Sequence, residues 1–133
     1  AGPTPRRPGH ASRFRCAALP LLRQGAHELP QPSAFAVRTG AAHWQTLLQA
    51  RAIDTQCWVL AAAQIGMHPG STRVSWGHAM IVDPWGSVVA QCTDTPPHAP
   101  QFCMADMDLS ALEPLRASMP LWSQRRADIY GTL

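Results

Sequence analysis

Residues 32–86 read PSAFAVRTGAAHWQTLLQARAIDTQCWVLAAAQIGMHPGSTRVSWGHAMIVDPWG. Three signals follow one another in this stretch. Trp44, Leu47, Leu48 and Ala52 recur at helical spacing, with Gln45, Thr46 and Gln49 between them, which predicts an amphipathic helix. Thr39 or Gly40 is the expected cap. The run CWVLAAA (57–63) is short and apolar on both faces, which suits a strand covered on both sides. Residues 64–72 carry Gly66, Pro69 and Gly70 and are expected as a loop. Residues 75–82 follow as a strand. Asp83-Pro84-Trp85-Gly86 is expected as a type I turn, with Pro84 pre-setting φ, Asp83 bonding the backbone ahead of it and residues 88–91 returning as the hairpin partner. A helix followed by a buried strand and a hairpin sets a helix against a sheet.

On the N-terminal side, HELPQPSAF (27–35) is expected as a strand, although Pro30 and Pro32 work against pairing in a central position. Phe14, Ala17, Ala18, Leu21 and Leu22 fall on one helical face, with Gly25 as a stop. Pro20 removes a backbone donor there, at a cost of about 3 kcal/mol in a continuous helix. On the C-terminal side, residues 93–100 form a loop and residues 102–107 a further strand. Ser110-Ala111-Leu112-Glu113 matches a capping box that opens a short helix, with Pro114 tolerated in its first turn. Residues 119–133 have no period and are expected to pack as an arm over the body or a partner subunit. Helices and strands alternate and then strands run together, which is α/β with a mixed sheet.

The 133 residues make one domain or part of one. Residues 1–12, AGPTPRRPGHAS, hold almost nothing apolar and are expected as a flexible, solvated tail ahead of a partial domain over 13–133. An arginine-rich, acid-poor start also fits an organelle transit segment, which makes mitochondria the alternative to the cytoplasm. The chain has no lysine: all 11 basic residues are arginine. A net charge of +3 is too modest and scattered, and Phe14 too lone an aromatic in the basic front, to argue for nucleic acid, so no nucleic-acid partner is expected. No apolar run is long enough to span a membrane. Cys16, Cys57, Cys92 and Cys103 show no C-x-x-C spacing, so neither a structural zinc site nor any other metal is expected. Cys57 and Cys103 sit in apolar text and read as buried small hydrophobes, in a reducing compartment.

The wording resembles one enzyme family. PSAF (32–35), TGAAHW (39–44), QARAIDTQ (49–56), AAAQ (61–64), GHAMIVDPWG (77–86) and RRADIYG (125–131) follow one another in the order found in nitrilase-type carbon-nitrogen hydrolases, in the branch acting on deaminated glutathione and related ω-amides. The resemblance covers roughly residue 13 to the end. It implies the second half of a nitrilase-like αββα sandwich, with a mixed sheet and outer helices. A lone half leaves an apolar sheet face, which predicts homo-oligomers or pairing with a full-length relative.

Members of that family hydrolyse amides through a Glu–Lys–Cys triad: a carboxylate takes the thiol proton, the thiolate attacks, and the ammonium faces the oxyanion. The resemblance therefore implies a small amide substrate and no cofactor. It fails at the chemistry. Aligning the family's Arg-Phe pair with Arg13-Phe14 puts Gly9 at the nucleophile position, and Cys16 stands beyond it on the helix. Gln45 takes the place of a glutamate, and Glu28 that of an apolar strand residue. No catalytic residue is assigned, and the chain alone is expected to be inactive. Three readings follow: part of an amide hydrolase, a pseudoenzyme that pairs with a full-length relative, or a non-functional truncated product. Ser33, Phe35 and His43, near a strand's carboxyl end where α/β sites lie, are the expected pocket wall. His43 is balanced between that role and capping. Arg51 and Asp54 form either a surface i,i+3 pair or a half-buried clamp. His78 reads as a hydrogen-bonded structural histidine ahead of a catalytic one. Asp83 and Gly86 are structural turn residues.

Overall fold

The run around Val59 forms the centre of the architecture. The computed structural model describes residues 25–93, 99–124 and 126–130. Along the chain come β1 (Glu28–Pro30), α1 (Val37–Thr55), β2 (Trp58–Ala61), β3 (Ile65–Met67), β4 (Val74–Trp76), β5 (Met80–Val82) and β6 (Val88–Gln91). A 3-10 turn (Leu109–Ala111), α2 (Leu112–Ser118) and α3 (Ala127–Tyr130) follow. One sheet has the order β1-β2-β5-β6, and β3 and β4 pair separately. β1 runs parallel to β2, while β5 and β6 run antiparallel to their neighbours, so the sheet is mixed, as the α/β reading requires. The tail over 1–12, the helix expected over 14–22, Gly9 and Cys16 all lie outside the described residues.

Trp58, Val59 and Ala61 are buried and Leu60 half-buried, so β2 is covered on both faces. Helix α1 lies on one of them through Trp44, Leu48 and Ala52, which meet Leu29, Val59, Ala61, Met80 and Val82 in a single core. Each of the Leu, Val and Met side chains withdrawn from water contributes about 1.5–3 kcal/mol before the entropy of ordering it. Leu47 is half-buried at the margin of the stripe.

The structure corrects several expectations. Helix α1 starts earlier than expected. Ala36, extended at φ −67° and ψ 152°, is its cap, so Thr39 and Gly40 lie inside the helix. Thr39 Oγ1 donates to Ala36 O at 3.1 Å. Gly40 is buried against β4, where a Cβ would overlap the Trp76 ring. The expected loop at 64–72 contains β3. The expected strand at 75–82 is broken in two, because Gly77 (φ +75°) and His78 (φ +59°) turn the chain from one sheet into the other. Residues 102–107 form no strand. Asp108, not Ser110, caps the C-terminal helical segment: its carboxylate accepts the Ser110 N–H at 2.9 Å and the Ser110 hydroxyl at 2.5 Å. Cys103 is half-buried rather than core, since the segment carrying it has no sheet to enclose it.

The prolines of the first strand are placed by its pairing. Gln31 N–H donates to Leu60 O and Ser33 N–H to Ala62 O, both at 2.9 Å. Positions 30 and 32 therefore face away from β2, and their missing donors cost no sheet bond. Glu28 is exposed on this strand, while Leu29 beside it is buried.

Asp83 makes the hairpin turn. Its carbonyl accepts the Gly86 N–H at 2.9 Å, and its Oδ1 accepts the N–H groups of Trp85 at 2.9 Å and Ser87 at 2.8 Å. Gly86 takes φ +93°, a conformation open to glycine at little cost.

Candidate functional site

The parallel pair β1 and β2 continues past its regular part. Ser33 bridges Ala63, and Gln64 N–H donates back to Ser33 O at 3.0 Å. At this carboxyl end Pro32, Ser33, Ala62, Ala63 and Gln64 frame an open cavity of about 500 Å³. A smaller one, about 210 Å³, shares Ala63 and Gln64 and continues to His78, Cys92 and Gln101. The polar side chains among the residues of the larger wall are those of Ser33 and Gln64. These can orient a neutral polar ligand, but neither exchanges a proton near neutral pH.

Of the expected pocket residues, Ser33 stands in the wall of the larger cavity. Phe35 is half-buried with its ring 5.1 Å from that of Trp44 and tilted by 54°, and its carbonyl accepts the Trp76 N–H at 2.9 Å. It packs helix to sheet rather than lining either cavity. His43 lies well inside α1 on the exposed side, so it does not cap the helix, and it lines neither of these two cavities. Gln64, which lines both cavities, fell in the stretch expected as a loop.

His78 holds the junction between the cavities and the helix. A left-handed φ costs a non-glycine residue about 1–2 kcal/mol. Three contacts hold it there. Nδ1 lies 2.9 Å from Trp76 O, the ring stacks on Trp76 at 4.1 Å and 15°, and the His78 carbonyl accepts Trp44 Nε1–H at 2.7 Å. Arg51 Nη1 reaches Asp54 Oδ2 at 3.1 Å. The arginine is mostly enclosed and the aspartate open to water, so the pair is a surface contact at one end and a clamp at the other.

Arg116 carries no signal that sequence reasoning used. Its Nη2 donates to Ala26 O at 2.8 Å, to Gln56 O at 3.2 Å and to Cys57 Sγ at 3.5 Å, tying α2 to the start of β1 and the end of α1. Burial pushes the Cys57 thiol above its ordinary range, against the opposing pull of its hydrogen bond with Thr55 and the Arg116 charge. Cys57 is therefore a protonated packing group, not an attacking thiolate. Among the described residues no three His, Cys, Asp or Glu side chains gather as a ligand set, and no helix is long and apolar enough to cross a membrane.

The model for the family described as carbon-nitrogen hydrolase matches residues 11–117. The chain belongs to this family. It is 50% identical over 121 residues to the deaminated glutathione amidase of Bos taurus, covering 91% of this chain and 35% of that protein. It is 52% identical over 118 residues to the nitrilase and fragile histidine triad fusion protein of Caenorhabditis elegans, covering 89% and 26%. The carbon-nitrogen hydrolase portion thus spans about a third of the length of the curated amidases it matches. The crystal structure of the C. elegans NitFhit protein superposes with a TM-score of 0.79 at 48% identity, over 90% of this chain and 28% of that one. Saccharomyces cerevisiae Nit3, a member of branch 10 of the nitrilase superfamily, superposes with a TM-score of 0.74 at 32% identity, over 86% and 41%. The mixed sheet with its covering helix is part of the nitrilase α-β-β-α sandwich.

Proposed function

We propose that this chain is the pocket-wall portion of an amide hydrolase of the deaminated glutathione amidase kind, and that alone it does not turn over substrate. The observation that carries the reading is the cavity at the carboxyl ends of β1 and β2, flanked by Ser33 and Gln64, in a chain half identical to amidases of that name. The catalytic half of the proposal rests on the sequence. The chain has no lysine to face an oxyanion, and Gly9 stands where the family's motif would put the nucleophile.

Two experiments test it. The purified chain, incubated with deaminated glutathione, is expected to release no ammonia; turnover that thiol alkylation abolishes would refute the inactivity. A chimaera of the mouse relative, in which residues 25–133 replace only the segment that aligns with them, is expected to keep amidase activity. A folded but inactive chimaera would refute the pocket-wall role.

One observation favours a second role, pairing with a full-length relative. Phe102 and Met104 are 82% and 80% exposed, close together on a segment outside any sheet. Size-exclusion chromatography with the mouse amidase reads this directly; independent elution of the two chains would remove it.

A further inference from the structure

Cys92 and Cys103 converge on one carbonyl. The Cys92 N–H donates to Ala79 O at 2.8 Å, and Cys103 Sγ lies 3.9 Å from the same oxygen. The residues beside them are also held together: the Thr93 N–H and hydroxyl both reach Gln101 Oε1, at 3.1 and 3.4 Å. The two thiols also act on each other electrostatically, a charge on Cys92 disfavouring one on Cys103. Both cysteines are half-buried, and Cys92 lines the smaller cavity. Cys57, by contrast, is fully enclosed. Among the described residues no third donor joins these two thiols, which suits a disulfide better than a tetrahedral metal site.

We propose that Cys92 and Cys103 form a reversible intrachain disulfide by exchange with a low-molecular-weight disulfide. Cys92, facing the cavity, reacts first. Its thiolate attacks one sulfur of the small disulfide, that S–S bond breaks, and one small thiolate leaves and takes up a proton. The mixed disulfide at Cys92 is then attacked by the Cys103 thiolate, and the second small thiol leaves in the same way. Two protein thiols lose two protons and two electrons, and one small disulfide becomes two thiols.

Electrostatics favours this order. The Cys103 thiol is raised above its ordinary range by burial, and further by its hydrogen bond with Cys92 and the charge there. Once the Cys92 sulfur is in a mixed disulfide it carries no charge, so that part of the hindrance disappears at the step where Cys103 must ionise. The product joins the end of β6 to the segment leading into α2.

The test uses the whole chain with oxidised glutathione as probe and reads no amide turnover, so it stands apart from the amidase proposal. After acid quench and alkylation, chymotrypsin cuts at Trp85 and Phe102 and separates the two cysteines. The wild-type chain is expected to give the Cys92 and Cys103 peptides linked, and dithiothreitol to release them. Cys103→Ser is expected to accumulate glutathione on Cys92, and Cys92→Ser to give no link. Two separate adducts, or two free thiols, in the wild-type chain overturn the proposal. So does a link that forms only after Cys57 has reacted, since that thiol is shielded in the folded chain.

Discussion

Gln49 Nε2 donates to the Gly86 carbonyl at 2.7 Å, joining helix α1 to the β5–β6 turn. Asp83 closes the turn from within, and Gln49 fixes where it sits. Replacing Gln49 with Ala leaves a half-enclosed carbonyl without this donor. Urea denaturation is expected to show a loss of about 0.5–1.5 kcal/mol with little change in the denaturant slope.

Trp44 has two jobs. Its ring fills the core, and its Nε1–H satisfies the carbonyl of the left-handed residue His78. Trp44→Phe removes the bond and part of the volume together. The expected loss is about 1–3 kcal/mol from the donor taken from the His78 carbonyl, with a cavity contribution added. A thermal melt at neutral pH measures it.

Gly40 allows α1 to meet β4. The Trp76 ring occupies the space a Cβ would need, so Gly40→Ala is expected to cost about 1–3 kcal/mol despite alanine's better helix propensity. Pairing it with Trp76→Gly removes the overlap, since the Trp76 Cβ clashes as well as the ring. The double mutant is expected to be more stable than the sum of the two single losses predicts, which a double-mutant cycle reads as coupling.

Removing Arg116 leaves the Ala26 and Gln56 carbonyls short of a donor. Arg116→Met keeps most of the volume and is expected to lose about 1–3 kcal/mol, chiefly from the Gln56 carbonyl, since the Ala26 carbonyl still faces the Cys57 thiol at 3.3 Å. Hydrogen exchange is expected to rise first in α2 and at the start of β1.

Cys57 sets a pH dependence. Its thiol is raised in the folded chain, so above the unfolded thiol's range the native state holds a proton that the unfolded state has released. Stability is complete below that range and falls as pH rises through it toward the folded value. Cys57→Ala is expected to flatten the alkaline side of a stability–pH curve.

Helix α1 and the hairpin were legible because each rests on local periodicity: Trp44, Leu48 and Ala52 for one, Asp83 to Gly86 for the other. The β3–β4 pair was not. Gly66, Pro69 and Gly70 read as loop, and only a partner across the chain makes Ile65 to Met67 a strand. The break at Gly77 was hidden because His78, which like any non-glycine residue is uncommon at φ > 0, extends it. Of the candidate pocket, Ser33 stands at the cavity because parallel pairing carries it past the strand end. Phe35 points to Trp44 instead, since the chain has already turned toward the helix. Arg116 was invisible, because its acceptors come from segments far away along the chain.

The bend at Gly77 and His78 makes neighbouring strands members of different sheets. Their alignments are therefore interlocked. A one-residue slip of β5 against β2 would drag Trp76 off Gly40 and unseat β4 from β3. Misregistered intermediates forfeit contacts in both places at once, which favours a single concerted folding transition over piecewise assembly.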